Sequence, residues 1–443
     1  MKRRKRSRSR ARNCVAVAAV GALAAGIVSI PAAPANAADT ITAADQPYFA
    51  YYGLDRARAK GYTGEGVTIA MIDGPVDTSV PELKGAKITA KETCTITSSN
   101  GSRKHGTGVA SILVSDVYGV APGASLWSYT IPFGTQDDQA SSDCFGGGGY
   151  VGKTEPVWVL NQAMNDGVQI INLSASSDDG NDPMKWTVAR AMSSGVILVA
   201  AAGNDGFDND DLSLSKWSGV VGVTAIGTDG TRQDYSSWGE GVVTASIGGP
   251  VLFRNIETGA NDTISGTSVA SPIVTGVLAL AKQRWPQATS NQLLQLLVKT
   301  GLNPDHGWNK YTGFGGIDPG AILNTDPSQF PDENPLAQKQ GGSNPTPEEV
   351  QQYADGVVDP TDIVNDNSYT YRGFDESKLK DGLNVTRRTW ARARATTASS
   401  CGGVRETAWW LFPRLFHVKH LRGKSGGGGI VPCRVLPCLP RTS

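Results

Sequence analysis

Residues 265–272 read Ser-Gly-Thr-Ser-Val-Ala-Ser-Pro, and Ser268 stands where an apolar helical pattern begins. A serine hydroxyl is a poor nucleophile at its free pKa and needs a neighbouring base to take its proton. Histidine titrates nearest neutral pH and is the usual base. The imidazole in turn needs a carboxylate that fixes its tautomer and stabilises the imidazolium. The chain has four histidines: His417 and His420 lie in a basic tail, and His306 lies in the polar loop Asn-Pro-Asp-His-Gly-Trp-Asn. His105 opens the run His-Gly-Thr-Gly-Val-Ala-Ser-Ile-Leu-Val, a Gly/Thr turn leading into an apolar helix. Asp73 ends the apolar run Val-Thr-Ile-Ala-Met-Ile and precedes Gly-Pro. Alone, His105 reads as a surface or capping residue and Asp73 as a turn residue. Together, in the order Asp73, His105, Ser268, they are the set that a serine nucleophile requires.

These residues need a scaffold, and the pattern from 48 to 325 supplies one. Short apolar runs at 66–73, 168–174, 195–203 and 220–227 read as buried parallel strands. Helical patterns at 106–115, 156–167 and 182–195 lie between them. Strand–helix alternation implies a mostly parallel sheet covered by helices on both faces, an α/β domain in three layers. In such sheets functional groups gather beyond the carboxyl ends of the strands. Asp73, Asn172 to Ser174 and Gly203-Asn204 fall there. A helix beginning near Ser268 aims its unpaired N–H groups and its positive dipole end at the site. Pro272 is expected in the first turn of that helix, where a missing N–H is harmless.

Four ordered segments now resemble one family, the subtilisin-like serine proteases of peptidase family S8. They are Ile-Ala-Met-Ile-Asp-Gly-Pro-Val-Asp, His-Gly-Thr-Gly-Val-Ala-Ser, Val-Ala-Ala-Ala-Gly-Asn-Asp-Gly and Gly-Thr-Ser-Val-Ala-Ser-Pro. The resemblance implies that Asp73 orients His105, that His105 activates Ser268, and that Asn204 with the Ser268 N–H holds the oxyanion. Thr267 would assist beside the nucleophile. It also implies that Ser174, Ala175 and Ser176 line the pocket for the residue before the cut, with Ala201 and Gly203 on the opposite wall. Ser176-Ser177 stands where the family often has Gly-Gly, which implies a narrower or more polar pocket.

The chain departs from the family pattern in three places. Gly74 stands where the commonest form has Ser or Thr, as in members that process peptide precursors. Gly108 stands where many members carry a second His. The loop Val-Ser-Asp-Val-Tyr-Gly-Val-Ala-Pro-Gly at 114–123 is shorter than the one secreted subtilisins use for calcium. No cofactor and no metal ligand is assigned; calcium is not expected at that loop, while calcium elsewhere stays open. The acidic run 208–211 reads as a solvated loop. Only about ten residues separate 37 from the domain, too few for a folding propeptide, as in mycosin-type members.

Charge and cysteine usage bound the remainder. Residues 1–37 hold eight Lys/Arg and no acid, then an apolar run and Ala-Asn-Ala, the pattern of a secretory signal peptide with a cut after Ala37. Residues 38–47 form a short N-terminal segment. The stretch 38–383 keeps 22 bases against 40 acids, which argues against nucleic acid as a partner; the peptide or protein substrate is what the family resemblance implies. Export favours disulfides, and Cys94 and Cys144 are the two cysteines of the body, so they are expected to be bonded. Residues 326–383 are polar and rich in Pro, Asn and Gly, and read as a linker holding one short helix at 347–358. Residues 384–443 hold eleven Lys/Arg and one acid. Two readings of this tail stand open: a basic binding tail, or an out-of-frame translation that has cost the chain a membrane anchor. The expectation is a monomeric, secreted or envelope-associated endopeptidase working through an acyl-enzyme. The alternative is an inactive scaffold on the same fold.

Overall fold

A computed structural model describes residues 40–132, 138–145, 152–174, 182–208, 213–339, 343–375 and 377. Residues 1–37, expected to be a signal peptide, the tail 384–443, Ala175 and Ser176 lie outside the described residues.

Seven strands form one sheet: β1 (Thr68–Asp73), β2 (Lys87–Lys91), β4 (Ser125–Thr130), β6 (Ile170–Leu173), β7 (Ile197–Ala201), β8 (Val220–Ile226) and β9 (Val242–Ile247). Their spatial order is β2-β4-β1-β6-β7-β8-β9, and every pairing is parallel. Two small antiparallel pairs stand apart from it: β3 (Ile96–Thr97) with β5 (Gln139–Ala140), and β10 (Val251–Arg254) with β11 (Asn261–Ile264). The helices are α1 (Pro47–Tyr51), α2 (Leu54–Ala59), α3 (Asn100–Val114), α4 (Pro156–Asn165), α5 (Asp182–Ser194), α6 (Thr267–Arg284), α7 (Ser290–Lys299), α8 (Pro319–Asn324) and α9 (Pro347–Asp355). This is the expected α/β architecture.

Side-chain alternation along the strands decides what each face meets. Ile69 and Met71 join the core under α3, α6 and α7, whereas Ala70 and Ile72 join the core under α4 and α5. Asp73 has the parity of Ile69 and Met71, so it faces the α3–α6 side. Helix α6 is buried without a break from Thr267 to Ala281. An all-round apolar helix of this kind belongs inside a core. Gly276 permits its close approach, since a Cβ there would lie 2.6 Å from Val120 Cβ.

Four expectations about the elements change. Helix α3 begins at Asn100, so His105 lies inside it rather than at its opening. Ser99 caps the first turn by accepting the Ser102 N–H at 3.1 Å. Pro272 is the sixth residue of α6, not a first-turn residue, and it cannot donate to the Ser268 carbonyl four residues before it. The described part of 326–375 is packed structure rather than a free linker. Tyr353, Val358, Tyr369 and Tyr371 form a buried cluster with Trp186 and Ala189 of α5. Arg190 pairs with Asp366 at 3.2 Å. Helix α9 carries a capping box from Thr346 and Glu349 and ends on Gly356 at φ 72°. Composition reads this stretch as a linker, but its irregularly spaced aromatics find their partners on α5. The segment before the domain is likewise integral, with Ile41 fully buried and Gln46 Nε2 donating to the Leu252 carbonyl at 2.8 Å.

Candidate active site

Asp73 closes β1 in full burial. Its Oδ1 accepts the Gly74 N–H at 2.7 Å and meets His105 Nδ1 at 2.8 Å. Its Oδ2 is buried and meets no donor among the described residues. Two glycines make the approach of α3 to β1 possible. A Cβ on Gly106 would come within 2.2 Å of the Gly74 carbonyl oxygen, and a Cβ on Gly74 within 2.1 Å of the Ser102 carbonyl oxygen. Burial works against the charged imidazolium of His105. The charge of Asp73 and its hydrogen bond together outweigh that burial, and hold His105 above its ordinary 6.5. The Nδ1 contact with the carboxylate fixes the orientation of the imidazole.

Ser268 is the second residue of α6 and is 6 % exposed. Gly203, at φ 106°, turns the chain out of β7 in the left-handed region open to glycine. The turn brings Asn204 back to the start of α6. Thr267 N–H donates to Asn204 Oδ1 at 2.8 Å, and the Thr267 hydroxyl lies 3.1 Å from the same oxygen. With its oxygen so fixed, the amide presents Nδ2 on the other side. A point at the Cβ position of Gly266 lies 3.0 Å from Ser268 Oγ and 3.3 Å from Asn204 Nδ2. The hydroxyl and the amide thus converge on one spot, and only a residue without a side chain leaves it open. Thr267 Oγ1 also accepts the Gly203 N–H at 3.1 Å. Thr267 thereby fastens the Gly203–Asn204 turn to the start of α6.

The pocket residues divide. The Ser174 hydroxyl is turned into the core, accepting from Asn172 Nδ2 at 2.8 Å and lying 3.2 Å from Ser271 Oγ. The Ser174 side chain is thus engaged within the protein. Ala201 and Gly203 are buried, and the Ala201 carbonyl accepts the Ser213 hydroxyl at 3.0 Å. The sequence reading missed the polar fastening of α6 to β6, in which Thr275 donates to Asn172 Oδ1 at 2.9 Å. A polar Asn in an otherwise apolar strand was its one signal. Cys94 and Cys144 are bonded, as expected. Among the described residues no group of three or more His, Cys, Asp or Glu is placed to hold a metal ion.

The parallel seven-stranded sheet thus carries a buried Asp–His pair at the end of β1 and a serine in the first turn of α6. The sequence matches the Peptidase_S8 profile, described as the subtilase family, over residues 64–315, and the chain belongs to that family. It is 30% identical over 282 residues to a thermostable alkaline protease of Halalkalibacterium halodurans, covering 61% of this chain and 72% of that protein. It is also 30% identical over 268 residues to subtilisin E of Bacillus subtilis, covering 56% of this chain and 65% of the relative, a little under two thirds of it. Among solved structures, fervidolysin from Fervidobacterium pennivorans, a keratinolytic enzyme related to subtilisin, superposes with a TM-score of 0.51 at 25% identity. That match covers 62% of this chain and 45% of fervidolysin. MycP1 from the ESX-1 type VII secretion system shares the fold, with a TM-score of 0.53 at 23% identity over 68% of this chain and 90% of MycP1.

Proposed function

We propose that this chain is a serine endopeptidase in which Asp73, His105 and Ser268 act as one triad. The observation that carries the reading is the 2.8 Å contact between His105 Nδ1 and the buried Asp73 carboxylate. Ser268 Oγ attacks the peptide carbonyl as its proton passes to His105 Nε2. The C–N bond breaks, the proton passes on to the leaving amine, and an acyl-enzyme remains. Water, deprotonated by the same imidazole, then releases the acid and regenerates Ser268. Asn204 Nδ2 and the Ser268 N–H stabilise the oxyanion, aided by the positive end of α6. The substrate is a peptide or an extended segment of a protein, bound as an added strand. The work is done outside the cytoplasm, in keeping with the signal-like residues 1–37 and the Cys94–Cys144 bond. Among the described residues no helix is long and apolar enough to cross a membrane.

A fluorophosphonate probe tests the reading. It should label the protein stoichiometrically, and labelling should vanish in Ser268→Ala. An inert folded wild-type protein would sink the proposal, and so would equal labelling of the variant.

A further inference from the structure

We propose that Asp138 is a positioning residue for His105, acting through the first turn of α3; the inference rests on the triad reading above. Asp138 lies beyond β4, far from α3 in the chain. Its Oδ1 accepts the Ser99 N–H at 2.6 Å, and its Oδ2 accepts the Ser102 hydroxyl. One carboxylate thus grips the cap and the third residue of the helix that carries the imidazole. A carboxylate at this end also complements the helix dipole.

The grip reaches the site by direct contact. Ser102 is buried and lies three residues before His105, on the same face of the helix. Its carbonyl rests against Gly74, whose own N–H bonds the Asp73 carboxylate. Displacement of Ser102 therefore moves both partners of the Asp73–His105 hydrogen bond. The anchor itself is stiff. β5 pairs with β3 through Ile96 with Ala140 and Thr97 with Gln139. Thr95 N–H donates to Asp143 Oδ2 at 2.9 Å, Ser141 N–H donates to the Thr95 carbonyl at 2.9 Å, and the Cys94–Cys144 disulfide closes the unit. The charged neighbours on the same turns are engaged elsewhere. Arg103 meets Asp77 at 3.6 Å, and Lys104 meets Asp262 at 2.7 Å.

The separating test uses Asp138→Ala and Asp138→Asn in the full chain. Asn keeps an acceptor for Ser99 and a hydrogen-bonding group for Ser102, so it should hold the turn; Ala cannot. The second-order rate of fluorophosphonate labelling reads the triad without substrate subsites. Asp138→Ala should lower that rate and kcat together, by on the order of 10- to 100-fold, the cost of an ångström-scale misplacement. KM on a peptide should stay within about twofold, and Asp138→Asn should restore most of the rate. Rates are normalised to folded protein by circular dichroism. An Ala variant that labels at the wild-type rate overturns the positioning role alone, as does a loss matched by the loss of folded protein. A wild-type protein inert to the probe overturns the triad reading and this proposal with it.

Discussion

Replacing Asp366 by Ala tests whether the chain beyond residue 325 belongs to the domain. Asp366 and Arg190 form an ion pair at 3.2 Å with side chains 1 % and 5 % exposed. Removing one partner of a buried pair leaves an uncompensated charge and costs about 3–5 kcal/mol. Arg190 keeps its bonds to the Asn161 carbonyl at 3.2 Å, Asn161 Oδ1 at 2.9 Å and Asn165 Oδ1 at 2.8 Å. These push the expectation to the lower end of that range. Against them, Asp366 also accepts from the Tyr353 hydroxyl and from Ser368 N–H at 2.8 Å. The loss of a buried partner for Tyr353 adds about 1 kcal/mol, for a total near ~4 kcal/mol. Urea unfolding in a Ser268→Ala background, which prevents self-digestion, measures it. The double variant Arg190→Met with Asp366→Leu removes both charges and should cost less than Asp366→Ala alone. A segment merely lying on the surface would lose at most ~1 kcal/mol, the worth of an exposed pair. A shift that small for Asp366→Ala, at unchanged m-value, would refute the packed arrangement.

Three further outcomes follow from the site. His105 must be neutral to accept a proton, and its folded pKa is raised above 6.5 by Asp73 against the opposing effect of burial. Peptidase activity should therefore fall as pH drops through a midpoint above that value, whereas the stability His105 contributes is full below 6.5 and lost as pH rises through the raised pKa; Asp73→Asn should lower the kcat plateau by on the order of 10⁴ and abolish the upward shift. Thr267→Val removes the hydroxyl that steadies Gly203 and Asn204, and kcat should fall about 10-fold at constant KM, less than the 10²–10³ expected for Asn204→Ala, as steady-state kinetics will read. The Cys94–Cys144 bond spans a sequence separation of 50, and its removal by Cys→Ser at both positions should lower urea stability by about 2–4 kcal/mol.

The sequence carried the site further than it carried its supports. Alternation in Thr-Ile-Ala-Met-Ile-Asp sets the face of Asp73, because a parallel strand buried on both sides still obeys a period of two. The start of α3 was not legible. Its first turn, Asn-Gly-Ser-Arg-Lys, has poor helix formers among its first three residues, and is held by the Ser99 cap and by Asp138 from beyond β4. A local pattern contains nothing of a carboxylate nearly forty residues away. The same limit hid the packing of Tyr353, Tyr369 and Tyr371, since their partners Trp186 and Ala189 lie on α5. Ser174 was named correctly as a residue at a strand end, but its hydroxyl direction depends on Asn172 and Ser271.

The departure at Gly74 and the early start of α3 are two sides of one packing solution. A side chain at 74 would strike the Ser102 carbonyl, and Ser102 occupies that place because the helix begins at Asn100. A hydroxyl residue at 74 would require α3 to withdraw from β1. With Gly there, no side chain at 74 can donate to Asp73, and among the described residues Oδ2 has no donor. Both hydrogen bonds that orient Asp73 fall on Oδ1, from Gly74 and His105. A carboxylate steered through one oxygen relies more heavily on its partners being fixed. One of those partners is the backbone touching Ser102, and the other is three residues along from Ser102 on α3. The geometry of the pair therefore rests on that first turn, and a substitution at Gly74 should perturb the same rate that substitution of Asp138 does.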